Sequence, residues 1–366
     1  MRCQDLTVSV LVRSAQVLLD GDLFADHDVL LDDGVVVAIA ARGGLGTAAQ
    51  VVETEILAPG YVDLHVHALD GHGLIGELDV DGLSRALLSR GVTGFLATTI
   101  ATPVDDLATL VRRILDAPVT GARLLGVHLE GPWLSSARAG AQPPAALRAP
   151  DLSGLARLLA AGPPVLLTIA PELPGALEVI ATATAAGVRV ALGHSDATYD
   201  QAAAAVAAGA RHITHCFNAM SGLHHRDPGL VGAALDLPGL TVELIADGVH
   251  VHPAAARVLW RSVGAGRVCL VSDAVDVALA GEVGVRLADG TLAGSRLGLD
   301  GGVRNLVAWG VPVAEALQMA SRTPAAAAGR AELGTITVGS PADLVLLDDD
   351  LQVRATMVGG EIRWQR

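Results

Sequence analysis

The sequence contains no lysine, because all 25 of its basic residues are arginine. Schiff-base enzymes and phosphate-binding loops both depend on a lysine amine, so the sequence excludes these classes. A metal site bridged by a modified lysine is excluded for the same reason. Acidic residues number 39, and the net charge of −14 without any basic run argues against a nucleic-acid or anionic-membrane partner.

Aromatic residues and cysteines are also scarce. Aromatics make up 2% of the 366 residues, so a stacking platform for bases is not expected. Cys3, Cys216 and Cys269 are odd in number and far apart, unlike the disulfide framework of a small secreted protein. No apolar run reaches the ~18 residues of a membrane span, and the first residues do not resemble a signal peptide. We therefore expect a cytoplasmic protein.

Short β-like segments bounded by Gly and Asp turns occupy both ends of the chain. They are residues 8–12, 16–19, 28–31 and 35–39 at the start, and 334–338, 343–347 and 356–363 at the end. This pattern predicts a small β-sandwich domain built from both termini, with limits 1–57 plus 332–366.

Apolar strand-like runs alternate with Ala- and Leu-rich helical stretches between those ends, over residues 58–331. The predicted strands are 60–65, 94–99, 124–129, 165–170, 188–194, 212–215, 242–246 and 268–272. The predicted helices include 80–90, 105–116, 152–161, 175–186, 199–208 and 253–264. Eight such units predict an α/β fold, a (β/α)8 TIM-like catalytic barrel. An open doubly wound sheet is the alternative, but the glycine fingerprint expected after its first strand is absent.

Eleven of the twelve histidines lie between His65 and His252. Several side chains of the types that bind metal ions lie at the ends of predicted strands: His65, His67, Glu130, His194, His215 and Asp273. The strand ends of a parallel barrel open on one rim, so these residues are expected to meet there. Six such side chains on one rim predict a metal centre, whereas a lone histidine would more often be a core residue.

The spacing of these residues indicates the chemistry. His65 and His67 are two apart on a strand and so share one face. Glu130 with His194 and His215 supplies two neutral nitrogens and one carboxylate oxygen, as in a catalytic zinc site, although His128 on the same face is an alternative ligand. Asp273 then stands where a general base would accept a proton from water and return it to a leaving amine.

The chain resembles the amidohydrolase superfamily and, more narrowly, the N-acetylglucosamine-6-phosphate deacetylases. The shared segments are PGYVDLHVH (59–67), HLEGPW (128–133), GHS (193–195), THCFNAM (214–220), ADGVH (246–250), SDA (272–274) and LAGS (292–295). The HLEGP and FNAM blocks are the specific part. The tail from residue 334 to 345 is shared with the superfamily generally and carries no information about the substrate.

The resemblance implies that Glu130, His194 and His215 hold the principal divalent metal ion, with zinc the first choice and iron or another ion an alternative. His65 and His67 would hold a second ion, which some members of the family lack. It also implies a homodimer in which a phosphate contact comes from the neighbouring subunit. The residues implied in binding the sugar phosphate are Asn218 and Ala219, through their backbone, together with Arg226 and His250.

One position departs from the family pattern. Gln142 stands where many members carry a histidine that touches the substrate. A glutamine amide can donate and accept hydrogen bonds but carries no charge. Gln142 is therefore expected to bind substrate without charge.

The expected activity is the metal-dependent removal of acetate from N-acetyl-D-glucosamine 6-phosphate. A deacetylase of another N-acyl amino sugar phosphate, such as the galactosamine isomer, is the alternative of the same class. A catalytically silent barrel that serves as a binding protein is the alternative of a different class. A silent barrel of this kind is expected to have lost some of its metal ligands, and here all of them are present.

Overall fold

The structure is a computed structural model that describes residues 9–275 and 283–366. Cys3 and the start of the predicted strand 8–12 lie outside the described residues. The strands are β1 (Val10–Leu19), β2 (Asp22–Asp32), β3 (Val35–Ala41), β4 (Gln50–Pro59), β5 (Tyr61–Val66), β6 (Ala68–Leu69), β7 (His72–Gly73), β8 (Val92–Thr99), β9 (Arg123–Glu130), β10 (Leu166–Ile169), β11 (Arg189–Leu192), β12 (His212–Ile213), β13 (Thr241–Ile245), β14 (Val268–Val271), β15 (Gly284–Arg286), β16 (Leu292–Ser295), β17 (Leu344–Leu347), β18 (Val353–Val358) and β19 (Glu361–Gln365).

The described α-helices include all six that the sequence pattern predicts. They are α1 (Val80–Leu88), α2 (Val104–Leu115), α3 (Leu152–Ala161), α4 (Ala176–Ala185), α5 (Tyr199–Ala207), α6 (Gly229–Asp236), α7 (Pro253–Val263), α8 (Leu299–Ala308), α9 (Val313–Ala320) and α10 (Arg322–Ala327). Side-chain caps fix several of their starts: Asp79 accepts from the Gly82 N–H at α1, and Thr198 forms a capping box with Gln201 at α5. No helix within the described ranges is long and apolar enough to cross a membrane.

Strands from both ends of the chain form one seven-stranded sheet, in the order β19-β18-β17-β4-β1-β2-β3. β4 pairs in parallel with β1 and antiparallel with β17, so the two ends of the chain meet at β4. The Val36 backbone in β3 also bonds to Ser340 and Gly339, at 2.9 and 2.8 Å. The sheet therefore folds back around a core that includes Leu31 and Met357. The predicted β domain at the termini is confirmed.

Eight parallel strands form the second sheet, in the order β14-β13-β12-β11-β10-β9-β8-β5. Its outer strands approach each other, because the Asp273 N–H donates to the His65 carbonyl and the His67 N–H donates to the Ala274 carbonyl, each at 2.9 Å. These bonds nearly close the sheet into the predicted barrel and exclude the open-sheet alternative. Every residue of β8 is buried, as expected for a parallel strand covered on both faces.

Glycines account for two differences between the predicted and observed terminal strands. The predicted strand 334–338 is not formed, and its first residue Gly334 and the following Gly339 adopt positive φ of 69° and 93°. The predicted strand 356–363 is divided into β18 and β19 by a turn at Gly359 and Gly360, with φ of 61° and 78°. A positive φ does not fit an extended strand, and glycine adopts it without a steric penalty.

Candidate metal centre

The six predicted rim residues converge at the carboxyl ends of the barrel strands. His65 is in β5 with His67 just beyond it, and Glu130 is the last residue of β9. The other three follow their strands by two residues: His194 after β11, His215 after β12 and Asp273 after β14. All six are buried. The barrel therefore gathers side chains that are far apart in sequence.

The three residues that follow their strands have strained backbones. His194, His215 and Asp273 adopt positive φ of 45°, 26° and 46°, a region that few residues other than glycine occupy. β11 and β12 end at Leu192 and Ile213, earlier than the predicted strands, because the chain turns at these histidines. Strain of this kind persists where the surroundings hold it, and it is concentrated at functional sites.

Glu130, His194 and His215 form the first group of possible ligands. Glu130 Oε1 lies 2.9 Å from His194 Nε2 and 3.0 Å from His215 Nε2, and the two nitrogens are 3.1 Å apart. The His194 Nδ1–H donates to the Arg138 carbonyl at 3.0 Å, which leaves its Nε2 lone pair for the site. Three donor atoms facing one point fit a divalent metal ion with the coordination typical of zinc.

His65, His67 and Asp273 form the second group. Asp273 Oδ1 lies 3.4 Å from the Nε2 atoms of both histidines. The His67 Nδ1–H donates to the Thr98 carbonyl at 2.9 Å, so its Nε2 also presents a lone pair to the site. His65 Nε2 is buried and has no hydrogen-bond partner among the residues that the structure describes. An orphaned buried nitrogen is expensive unless a ligand such as a metal ion meets it.

Glu130 lies between the two groups. Its carboxylate oxygens are 3.6 Å from His65 Nε2 and 3.5 Å from His67 Nε2. Burial alone would raise the pKa of the Glu130 carboxyl, but His65 and His194 outweigh it and hold the pKa well below its ordinary value. Burial also opposes ionisation of Asp273, and His65 and His67 lower the pKa of that carboxyl. The site therefore holds two ionised carboxylates, which suits a cation.

A cavity of about 410 Å³ opens over these groups. Its walls include the predicted metal ligands His67, Glu130, His194 and His215, the predicted base Asp273, the predicted substrate residues Gln142, Asn218, Ala219 and His250, and the apolar residues Ile75, Ile100, Val275, Leu287 and Leu292. No arginine lines it among the described residues. The cavity thus has the predicted metal ligands at its floor and walls that are partly apolar.

The predicted substrate residues on its walls are held by local hydrogen bonds. The Asn218 side chain donates to the carbonyls of His215 and Cys216, each at 3.3 Å. His250 Nδ1 lies 2.8 Å from Asp247 Oδ2, and its backbone N–H donates to Asp247 Oδ1 at 2.8 Å. Burial opposes ionisation of Asp247, but the contacts with His250 lower the pKa of its carboxyl. His250 therefore has a fixed orientation.

Arg226 does not reach this cavity within one chain. It is exposed, in a turn where His224 and Asp227 exchange backbone hydrogen bonds, and its Nη1 lies 2.9 Å from His225 Nε2. It lines a separate groove, beside Tyr199. Arg226 is not among the residues that line the cavity over the metal ligands, so a contact between Arg226 and a substrate in the same chain's cavity is not supported.

His128, the alternative ligand, is fully engaged below the site. Its Nδ1–H donates to the Leu64 carbonyl at 3.1 Å, and its Nε2 accepts from the Thr168 hydroxyl at 2.8 Å. Burial, with a further contribution from the neighbouring His65, lowers the pKa of His128 to about 3, so its ring is neutral. His128 also lies within metal-binding distance of His65 and Glu243, but with both ring nitrogens bonded it is a core histidine.

Sequence reasoning missed Glu243, which lies in β13 and contacts the site from below. The sequence did contain a signal for Glu243, because a glutamate inside an otherwise apolar buried strand is almost never tolerated unless its carboxylate is paired. Its carboxylate is fully buried.

Comparisons with known proteins identify the family of the chain. The model of the amidohydrolase family matches residues 56–363. The chain is 38% identical to an N-acetylglucosamine-6-phosphate deacetylase of Vibrio furnissii, over 95% of this chain and 94% of that protein. It is 37% identical to an N-acetylgalactosamine-6-phosphate deacetylase of Escherichia coli O157:H7, over 96% and 98%.

A solved structure shows the same fold. A mutant of the N-acetyl-D-glucosamine-6-phosphate deacetylase of Mycobacterium smegmatis, in complex with N-acetyl-D-glucosamine-6-phosphate, superposes with a TM-score of 0.90 at 34% identity. The match covers 97% of this chain and 99% of that one. The chain therefore belongs to the amidohydrolase family and, within it, to the N-acetylglucosamine-6-phosphate deacetylase family.

Proposed function

We propose that the protein hydrolyses the amide of N-acetyl-D-glucosamine 6-phosphate, releasing acetate and D-glucosamine 6-phosphate. The observation that carries the proposal is the convergence of Glu130, His194 and His215 on one point in a cavity that Asp273 also lines. Membership of a family of amide hydrolases supports the reaction type.

The proposed resident ion is zinc, held by Glu130, His194 and His215, with a second ion at His65 and His67. Iron or another divalent ion would fit the same donors. A bound divalent ion supplies Lewis acidity, which polarises an amide carbonyl and lowers the pKa of water. The roles of the five ligands are part of this proposal.

Asp273 is proposed as the proton-transfer group. Its lowered pKa keeps the carboxylate ionised near neutral pH, so it can accept a proton from the attacking water. The same proton then passes to the amine nitrogen as the amide C–N bond breaks. Water thus supplies one oxygen of acetate, and its two hydrogens convert the amide N–H into the ammonium group of the product, which balances the reaction.

The substrate contacts are proposed for Gln142, Asn218, Ala219 and His250, which line the cavity. A phosphate dianion also needs a strong cationic partner, and the described walls of the cavity contain no arginine. Arg226 of a second copy is proposed to complete the site, because a guanidinium pairs with phosphate through two parallel hydrogen bonds. A homodimer follows from this arrangement.

N-acetyl-D-galactosamine 6-phosphate is the second candidate substrate. The observation in its favour is the 37% identity to a relative named for that substrate, which is close to the 38% identity to a relative named for the glucosamine compound. The two sugars differ in one hydroxyl configuration, so the same metal chemistry serves both.

Acetate release from four compounds tests the proposal: the two N-acetylated sugar 6-phosphates and their unphosphorylated forms. The expected result is zinc-dependent release from a phosphorylated sugar, lost on chelation and restored by added zinc. Preference for the galactosamine compound would select the second candidate. Preference for the unphosphorylated sugars would overturn the assignment of a sugar phosphate as substrate, while the assignment as an amide hydrolase would stand.

We propose domain limits of 1–57 plus 332–366 for the β domain and 58–331 for the barrel. A cytoplasmic location is supported by Cys216 and Cys269, which are both buried and unpaired. Reduced thiols of this kind are typical of a reducing compartment.

A further inference from the structure

Glu243 links the two groups of possible metal ligands from beneath. It lies in β13, and its side chain is completely buried. Its Oε2 accepts hydrogen bonds from His65 Nδ1 at 3.0 Å and from the His215 backbone N–H at 2.9 Å. One carboxylate oxygen therefore contacts one residue of each group.

The contact with His65 determines which ring nitrogen faces the site. Oε2 accepts this bond as it accepts the one from the His215 N–H, so the His65 Nδ1 carries the proton. Nε2 is then the ring nitrogen that faces Glu130 and Asp273, 3.6 and 3.4 Å away, where it could bind a metal ion held with them. Carboxylates commonly fix the ring orientation and tautomer of metal-binding histidines in this way.

The contact with His215 acts on the backbone. His215 has a φ of 26°, and its side chain supplies the Nε2 that lies 3.0 Å from Glu130. A non-glycine residue at such a φ needs local support. The hydrogen bond from its N–H to Glu243 supplies that support where β12 ends.

His212 holds the other oxygen of Glu243. The His212 Nε2–H donates to Oε1 at 3.1 Å, and its Nδ1 lies 2.5 Å from the Thr241 hydroxyl. His212 is also fully buried. The Glu243 carboxyl is thus restrained on both oxygens.

We propose that Glu243 is a positioning residue that holds His65 and the His215 backbone so that both ligand groups are ready to bind metal. The inference rests on the metal site of the proposed function. Glu243 does not touch the cavity, so it acts only through the two histidines.

The test compares Glu243→Gln and Glu243→Ala with the wild type for binding of Zn²⁺ alone, by chelator competition and metal analysis. Loss of an outer partner of a metal ligand weakens binding by about 10- to 100-fold. We expect a loss of that size for Glu243→Ala and a smaller one for Glu243→Gln, whose amide oxygen can still accept from His65 or His215. The absorption spectrum of bound Co²⁺ should change in both variants.

Asp28→Asn is the matched control. Asp28 is another fully buried carboxylate and accepts a hydrogen bond from the Gly43 N–H at 2.8 Å, but it lies in the sheet of the chain ends. Its substitution should lower stability without altering Zn²⁺ affinity or the Co²⁺ spectrum.

The outcomes separate the two claims. Wild-type Zn²⁺ affinity and an unchanged Co²⁺ spectrum in folded Glu243→Gln and Glu243→Ala would overturn the inference. If only Glu243→Gln folds, wild-type values in that variant decide against it in the same way. A wild type that binds no Zn²⁺ would instead overturn the proposed metal site.

Discussion

Gln142 is hydrogen-bonded to Glu130, the carboxylate between the two ligand groups. Its Nε2 donates to Glu130 Oε2 at 2.6 Å, and its Oε1 accepts from the Ala101 backbone N–H at 2.7 Å. Gln142 is also buried, with 6% of its surface exposed. One N–H of the Gln142 side-chain amide therefore orients the Glu130 carboxylate, and the other N–H remains to donate to a substrate.

Gln142→Leu should weaken Zn²⁺ binding by about 10-fold, because it removes the donor that orients a ligand carboxylate. Zn²⁺ affinity and kcat/KM are measured together on the same preparation. If Gln142 acted only on the substrate, KM would rise while Zn²⁺ affinity stayed at the wild-type value, which would contradict this expectation.

Asp273→Asn should retain bound metal while deacetylation falls by about 100-fold or more, the scale of a positioned general base. Asparagine keeps the size of the side chain but cannot accept a proton. Metal analysis and acetate release are the measurements. Turnover near that of the wild type would remove Asp273 from the mechanism.

His194→Ala and His215→Ala should lose metal more completely than His65→Ala. The first two histidines face each other across 3.1 Å with Glu130, so each substitution removes one of three donors from the proposed principal site. Zn²⁺ content after dialysis gives the ranking. Equal loss in all three variants would indicate two tightly coupled ions.

Arg226→Ala should lower kcat/KM for the 6-phosphorylated sugar by at least about 10-fold and leave the unphosphorylated sugar unaffected. A charge-assisted pair is roughly twice as strong as a neutral hydrogen bond, and ~1.4 kcal/mol corresponds to a factor of ten. Equal losses on both sugars would contradict a phosphate contact.

Mixing Arg226→Ala chains with Asp273→Asn chains tests whether the arginine acts on a neighbouring subunit. In a mixed dimer, one cavity keeps its own Asp273 and receives an intact Arg226 from the partner. Activity on the phosphorylated sugar should therefore rise above that of either variant alone after the two proteins are unfolded together and refolded. No recovery in a preparation shown to contain mixed dimers would rule out the shared site.

Asp63 should make stability depend on pH in the metal-free protein. Burial raises the pKa of its carboxyl to about 6, and its Oδ2 has no hydrogen-bond partner in the described part of the chain. The pKa of Asp63 is thus higher in the folded protein than in the unfolded chain, where it is near 3.8. The contribution of Asp63 to stability is therefore complete below pH 3.8 and is lost as the pH rises toward 6. The stability of the wild type relative to Asp63→Asn should thus fall by about 3 kcal/mol at most between pH 4 and 7. Urea unfolding at several pH values measures it, and a constant difference would contradict the prediction.

The barrel could be predicted from sequence because its strands are continuous apolar runs and its ligands follow them directly. His65 and His67 indicate one face of a strand by their spacing alone. The role of Gln142 was harder to foresee, because its partner on the Ala101 backbone belongs to a different loop. Arg226 was expected at the substrate because of its motif, but the backbone turn at His224 and Asp227 decides where it points. Contacts that depend on backbone geometry are hard to predict from the types of the residues alone.

The sheet shared by the two chain ends has a consequence for synthesis on the ribosome. The Thr54 hydroxyl donates to the Leu347 carbonyl, 293 positions further along the chain. The strands β1 to β4 emerge before the barrel, yet the β4 edge that pairs with β17 stays uncovered until β17 is made. Unpaired strand edges invite association with other chains. The nascent protein is therefore most exposed to misassembly during the whole time that its barrel is being translated.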